Sequence, residues 1–309
     1  MTLYHSIEET IGATPLLRLA RLEKVIHCKA NLFAKLECFN PAGSIKDRIA
    51  YAMIQDAELQ GVLKPGATII EPTSGNTGVG LASVAAARGY RLIIVMPDSM
   101  SIERRNLIEA YGAQLVLTPA ADGMKGAIAK AGALHREING SIVVGQFVNP
   151  ANPYTHEQTT GPEIWEDLRG NIDALVVGVG TGGTITGISH FLRQKKCDIH
   201  IAAIEPSASP VLSQGVAGTH GIQGIGAGFI PDTLDAKTYD EVIPISDEDA
   251  VSYMHAIAHH EGILVGLSSG AAFAGALELG KRPEFFGKNI VIIFPDSGER
   301  YLSIRDARG

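Results

Sequence analysis

The sequence predicts an α/β protein of two domains, each a mostly parallel twisted sheet flanked by helices. Three observations carry this reading. Short apolar runs alternate with helical stretches along almost the whole chain, the pattern of strands joined by crossover helices. Several runs, such as Leu92-Ile93-Ile94-Val95, are apolar without alternation, as strands buried on both faces are. At 309 residues, 45% apolar and 19% charged, the chain is long enough for two cores.

In chain order, Leu32-Phe33-Ala34-Lys35-Leu36-Glu37 reads as a strand. Beyond it, Ile49, Ala50, Met53, Ile54 and Ala57 fall at helical spacing, which predicts a helix over 44–60. Strands are predicted at 68–70, 91–96, 114–117 and 142–144, and helices over 76–88, 102–111 and 122–138. Two prolines and two asparagines in 146–153 disfavour regular structure and mark a junction. The expected domains are therefore 1–150 and 151–309, with the first 35 or so residues packing on the second. The second half should hold helices over 156–168, 184–196, 248–260 and 269–280, and strands at 174–177, 199–204 and 290–294. Residues 206–246 are poor in helical pattern and rich in glycine; so long an irregular stretch is often functional, for instance as a binding loop.

Composition narrows the partners. A net charge of −7 argues against nucleic acid or an anionic membrane. No apolar run approaches the roughly 18 residues that span a bilayer. The N-terminus has no basic region followed by an apolar run, so no secretory leader is expected. Three scattered cysteines, Cys28, Cys38 and Cys197, form no CxxC pair, which suits a reducing, cytoplasmic setting. No metal site is expected: HExxH is absent, and His255 and His259, four apart, have no third ligand in view.

Four motifs carry chemistry. In Asn40-Pro41-Ala42-Gly43-Ser44-Ile45-Lys46-Asp47-Arg48, one lysine follows a Pro/Gly/Ser turn between strand and helix. Its amine can enter a cleft at the strand ends, although by itself the segment also reads as a solvated helical turn. Thr73-Ser74-Gly75-Asn76-Thr77-Gly78 follows a strand and opens a helix, offering hydroxyls, an amide and N–H groups to a carboxylate. An ordinary helix cap uses the same residues. Gly178-Val179-Gly180-Thr181-Gly182-Gly183-Thr184 follows a strand and makes a phosphate cup. It also satisfies GxGxxG with Glu205 some twenty residues on, but no hydride-transfer constellation accompanies it. Gly266-Leu267-Ser268-Ser269-Gly270 satisfies GxSxG, yet no histidine follows His260, so a hydrolase triad in its usual order is not available. A lysine amine, a phosphate cup, a serine for a ring nitrogen and a carboxylate loop are together what pyridoxal 5′-phosphate chemistry on an amino acid requires.

On these motifs the chain resembles the β-family (fold type II, tryptophan synthase β-like) of pyridoxal-phosphate enzymes. More narrowly it is similar to the A-type O-acetylserine sulfhydrylase (cysteine synthase) family. The supporting segments are Met96-Pro97-Asp98-Ser99-Met100-Ser101-Ile102-Glu103-Arg104-Arg105, residues 146–153, Gly224-Ile225-Gly226-Ala227-Gly228-Phe229 and Pro295-Asp296-Ser297-Gly298-Glu299-Arg300-Tyr301.

The resemblance implies that Lys46 carries pyridoxal 5′-phosphate as a Schiff base and later moves the Cα proton. Asn76 would meet the cofactor's ring oxygen. Gly180, Thr181, Gly182, Gly183 and Thr184 would hold its phosphate, and Ser268, rather than Ser269, its pyridine nitrogen. Thr73, Ser74, Asn76, Thr77 and Gln146 would take the substrate carboxylate, and residues 224–229 would line the mouth. A serine at the ring nitrogen makes a weaker electron sink than a carboxylate would, which favours prompt loss of a β-leaving group. The implied reaction makes L-cysteine and acetate from O-acetyl-L-serine and sulfide. A cystathionine β-synthase-type condensation with homocysteine is the alternative, since the lysine context is shared. Region 96–111 is the implied mover on closure. The family further implies a homodimer and, as a partner, the C-terminal tail of serine acetyltransferase.

Overall fold

The computed structural model describes residues 3–73 and 75–303. Ten strands, β1 (Leu16–Arg18), β2 (Asn31–Leu36), β3 (Thr68–Pro72), β4 (Arg91–Pro97), β5 (Gln114–Thr118), β6 (Ile142–Val143), β7 (Ala174–Gly178), β8 (His200–Pro206), β9 (Glu241–Ile245) and β10 (Asn289–Phe294), form two sheets. The larger runs β1-β2-β10-β7-β8-β9 and the smaller β5-β4-β3-β6. Every pair of strands is parallel except β1 and β2. The α/β class with mostly parallel sheets is thus as the sequence predicts. β10 enters between β2 and β7, so the last strand of the chain pairs with one of its first.

The apolar runs are buried on both faces. In β7, Ala174 and Val176 pack with the helix Leu267–Gly280, while Leu175 and Val177 pack with the helix Gly183–Lys195 on the opposite face. The period of two sends alternate residues to two cores, and both must be apolar. β4 divides in the same way, Ile94 and Met96 from Ile93 and Val95. The helix Leu267–Gly280 is buried along almost its whole length, which its run of alanines and glycines permits.

Some elements differ from the sequence reading. The helix expected over 156–168 is two helices, Ala151–Gln158 and Thr160–Asp167, with Thr159 at φ −127° and ψ −69° between them. The first begins inside the stretch read as irregular. Pro153 sits in its first turn, where a missing N–H breaks no helical bond. β9 lies within 206–246 and was not foreseen. It carries Pro244, which a strand at a sheet edge tolerates. β1 and the helix Ala20–Val25 are too short to show a period. Among the described residues, no helix is long and apolar enough to cross a membrane.

Four connections leave the carboxyl ends of β2, β3, β7 and β10. They hold Lys46, the Thr73–Thr77 loop, the glycine cup and Asp296, and parallel α/β sheets place ligands at these ends.

Candidate active site

Lys46 is the first residue of the helix Lys46–Leu59. Its backbone N–H donates to Ser44 Oγ at 3.2 Å, and Ile45 N–H donates to Pro295 O at 2.8 Å, tacking the turn to the end of β10. The side chain lines a cavity of about 240 Å³. Burial pushes its amine down to about 8, against the opposing pull of Asp296 and Glu37. A lysine so perturbed has a reactive free amine near neutral pH.

The glycine cup faces the same cavity through Gly180, Thr181, Gly182 and Thr184. The first backbone bond of the following helix runs from Thr186 N–H to Gly182 O, so the N–H groups of Gly183, Thr184 and Ile185 have no acceptor within the helix. With the helix dipole they form an anion site. A Cβ at Gly180 would run into the carbonyl oxygen of Gly224, which is why the wall here must be glycine. Gly183 lies behind the cup, its Cα against the Asn152 amide. Thr181 Oγ1 accepts from Asn152 Nδ2 at 3.0 Å, and Thr184 Oγ1 lies 3.2 Å from His156 Nε2. Burial, then the nearby Lys46 and Arg48 charges, hold the His156 pKa well below its ordinary value, so the imidazole is neutral.

Thr73, Asn76, Thr77 and Gln146 line the wall facing the cup. Thr77 Oγ1 donates to Gln146 Oε1 at 2.6 Å, and Gln146 Nε2 donates to Pro72 O at 3.2 Å, leaving one Nε2 hydrogen free. Among the described residues the first backbone bond of the helix Asn76–Arg88 is Val79 N–H to Gly75 O, so the N–H groups of Asn76, Thr77 and Gly78 have no acceptor there. Ser74 lies outside the described residues. Ser268, in the first turn of Leu267–Gly280, reaches the cavity, whereas the fully buried Ser269 is not on its wall. Gly224, Ile225, Gly226 and Ala227 also line the cavity, and Phe229 packs edge-on against Phe147 at 5.1 Å. Glu205 does not reach it; its carboxylate accepts from Leu212 N–H and the Ser213 hydroxyl, so the GxGxxG pattern has no acidic partner there.

Asn76 is already committed within the protein. Its Nδ2 donates to Asp296 Oδ2 at 2.6 Å, and its Oδ1 accepts from Arg300 Nη1 at 2.8 Å and Arg104 Nε at 3.3 Å. One amide hydrogen remains for a ligand. Tyr301 OH also donates to Asp296, at 2.6 Å, and Arg104 stacks over its ring at 4.6 Å. Arg104, on the helix Ile102–Ala110, reaches across the cavity to Gln223. The sequence reading gave no roles to Arg104, Asn152, His156, Gln223, Asp296, Arg300 or Tyr301. Several of these sat in segments singled out by resemblance, but nothing in their spacing marks them as neighbours.

The sequence model of the family described as pyridoxal-phosphate dependent enzyme matches residues 7–296. Cysteine synthase A of Escherichia coli K12 is 54% identical over 307 residues, covering 95% of this chain and 92% of that protein. The cysteine synthase of Staphylococcus aureus Mu50 is 52% identical over 303 residues, covering 96% and 95%. Among solved structures, the cysteine synthase (OASS) of Entamoeba histolytica superposes with a TM-score of 0.93 at 45% identity, covering 98% of this chain and 90% of that one. A hydrogen sulfide-producing enzyme of Fusobacterium nucleatum gives 0.94 at 41% identity, covering 97% and 100%. The chain belongs to the family of pyridoxal-phosphate dependent enzymes that includes the cysteine synthases.

Proposed function

We propose that the protein makes L-cysteine and acetate from O-acetyl-L-serine and sulfide, using pyridoxal 5′-phosphate. The observation that carries this is the convergence of Lys46, the anion cup and the Thr77–Gln146 pair on one cavity. The donor set suits the cofactor: three N–H groups without helical acceptors and two threonine hydroxyls answer a phosphate, and a half-buried amine of lowered pKa answers an aldehyde. When bound, the cofactor supplies an electron sink that acidifies the substrate Cα–H and lets the β-substituent leave.

The residues divide the remaining work. Gly180, Thr181, Gly182, Gly183 and Thr184 would hold the phosphate, Ser268 would meet the ring nitrogen, and Asn76 would offer its last amide hydrogen to the ring oxygen. Thr73, Ser74, Asn76 through its backbone N–H, Thr77 and Gln146 would take the substrate carboxylate. Lys46 would act as general base on the substrate Cα proton and give it back to Cα once sulfide has added at Cβ. Neutral His156 supports Thr184 without placing another positive charge beside the amine. Region 96–111 closes over the substrate and excludes water. The protein acts in the cytoplasm as a homodimer, in two units divided near residue 150, and accepts the C-terminal tail of serine acetyltransferase. Support for the dimer and the tail is the family resemblance alone.

The test is a stepwise addition. O-acetyl-L-serine should change the visible spectrum of the yellow protein and release acetate, and sulfide should then restore the spectrum and release L-cysteine. A full response to L-serine with homocysteine, and none to O-acetyl-L-serine, would reverse the assignment.

A further inference from the structure

The wall that carries Gln146 depends on a group outside the cavity. Glu71, near the end of β3, is fully buried. Its carboxylate accepts from two successive backbone N–H groups, Gly145 at 2.8 Å and Gln146 at 3.0 Å. These are its only hydrogen-bond donors among the described residues. Gly145 has φ +72°, a backbone conformation glycine adopts without strain, and its N–H and that of Gln146 converge on the one carboxylate. Burial pushes the Glu71 pKa up to about 7, and the two N–H groups oppose that rise. A buried carboxylate is an expensive anchor, but only an acceptor-only group satisfies two converging donors with both oxygens.

We propose that Glu71 is the positioning residue of the substrate-carboxylate site, clamping the Gly145–Gln146 turn so that the Gln146 amide stays aimed at Thr77 and the incoming carboxylate. The consequence travels along bonds already described. The clamp fixes the Gln146 backbone; the side chain then spans Pro72 O and Thr77 Oγ1. Gln146 O accepts from Asn152 Nδ2 at 2.8 Å, the same amide that supports Thr181 in the cup. Glu71 itself does not line the cavity. A glutamine at 71 would turn an NH₂ toward one of the two N–H donors, leaving that donor unpaired and the turn free to rotate.

This inference rests on the assignment of Gln146 to the substrate carboxylate, and the test separates the two. Cofactor-loaded wild type, Glu71→Gln, Gly145→Ala and Gln146→Ala are titrated with L-alanine, which has a carboxylate and no leaving group, and with ethylamine, which lacks the carboxylate. The readout is the shift of the visible absorption band, with cofactor content and urea midpoint measured alongside. Glu71→Gln should keep its cofactor, bind L-alanine about tenfold more weakly and bind ethylamine as wild type does. Gly145→Ala, which strains the same turn and leaves the carboxylate in place, should show the same selective loss and serves if Glu71→Gln does not fold. Equal weakening for both ligands means a general structural effect and overturns the proposal. Loss of L-alanine affinity in Gln146→Ala, with none in Glu71→Gln and Gly145→Ala, overturns it while leaving the site assignment intact. Unchanged L-alanine binding in Gln146→Ala overturns the assignment and the proposal together.

Discussion

Lys46 gains its chemistry from where its turn is fixed. Ser44 and Pro295 hold the backbone, and the surrounding protein removes water from the amine, which lowers its pKa to about 8. Only the unprotonated amine attacks an aldehyde. In the cofactor-free protein the capture of pyridoxal 5′-phosphate should therefore accelerate with rising pH and level off above about pH 8, instead of climbing on toward the ordinary lysine value. The growth of the visible band after mixing measures this, and a rate still rising steeply at pH 10 would contradict it. The same shift has a stability sign. Between about pH 8 and the ordinary lysine value the unfolded chain holds one more proton than the native state, so cofactor-free protein gains stability as pH rises across that window. Lys46→Met should remove the gain in urea titrations at pH 8 and pH 10. In the loaded protein, Lys46→Ala should remove or displace the visible band.

The strand–glycine–helix unit of β7 and Gly183–Lys195 does the work of a phosphate site because two requirements coincide in it. The helix start leaves N–H groups free, and the absence of side chains lets a ligand reach them. Gly180 is the tightest point, since Gly224 O occupies the space a Cβ would need. Gly180→Ala should push the 224–227 loop outward and weaken cofactor retention by about tenfold or more, while β7, its neighbours and the fold remain. Dialysis followed by the residual visible absorbance tests this; full retention would count against the cup. The motif was legible as Gly178–Thr184 in the sequence because its glycines, its threonines and the strand before it are contiguous. Its supports were not. Asn152, His156 and Gly224 come from other elements, and no local pattern says that they will meet Thr181, Thr184 and Gly180.

Across the molecule, an ion cluster ties β2 and the turn after it to the helices Lys46–Leu59 and Thr160–Asp167. Arg48 forms two hydrogen bonds each with Glu37 and Glu163, and buried Lys35 pairs with Glu163 at 2.9 Å. Burial raises the Glu37 pKa, but the Arg48 charge and its hydrogen bonds outweigh this and hold it below the usual carboxylate range. Arg48→Met would leave the buried Glu37 carboxylate without its cation and Glu163 with Lys35 alone, and should destabilise the protein by about 3–5 kcal/mol in urea unfolding. Because Glu37 and Glu163 titrate low, their stabilisation is present above the ordinary carboxylate range and is lost as pH falls through their depressed values. Wild type should lose stability to acid over that window more steeply than Arg48→Met, and parallel acid curves would contradict this. At 44–48 the sequence permitted a solvated helical turn, yet Asp47 and Arg48 are buried: Asp47 accepts from the Ala42 N–H and the Ser44 hydroxyl of its own turn, and Arg48 meets Glu37 and the distant Glu163. By itself the sequence determined the strand–helix alternation, the strands buried on both faces and the motifs that bring Lys46, the cup and the carboxylate loop to strand ends, since each depends on residues within one turn or one strand. Only the tertiary structure decided which elements face one another: β10 between β2 and β7, Glu71 beneath Gln146, Asp296 against Asn76. Those pairings join residues 75 to 258 positions apart, and their energy exists only once both sheets are built.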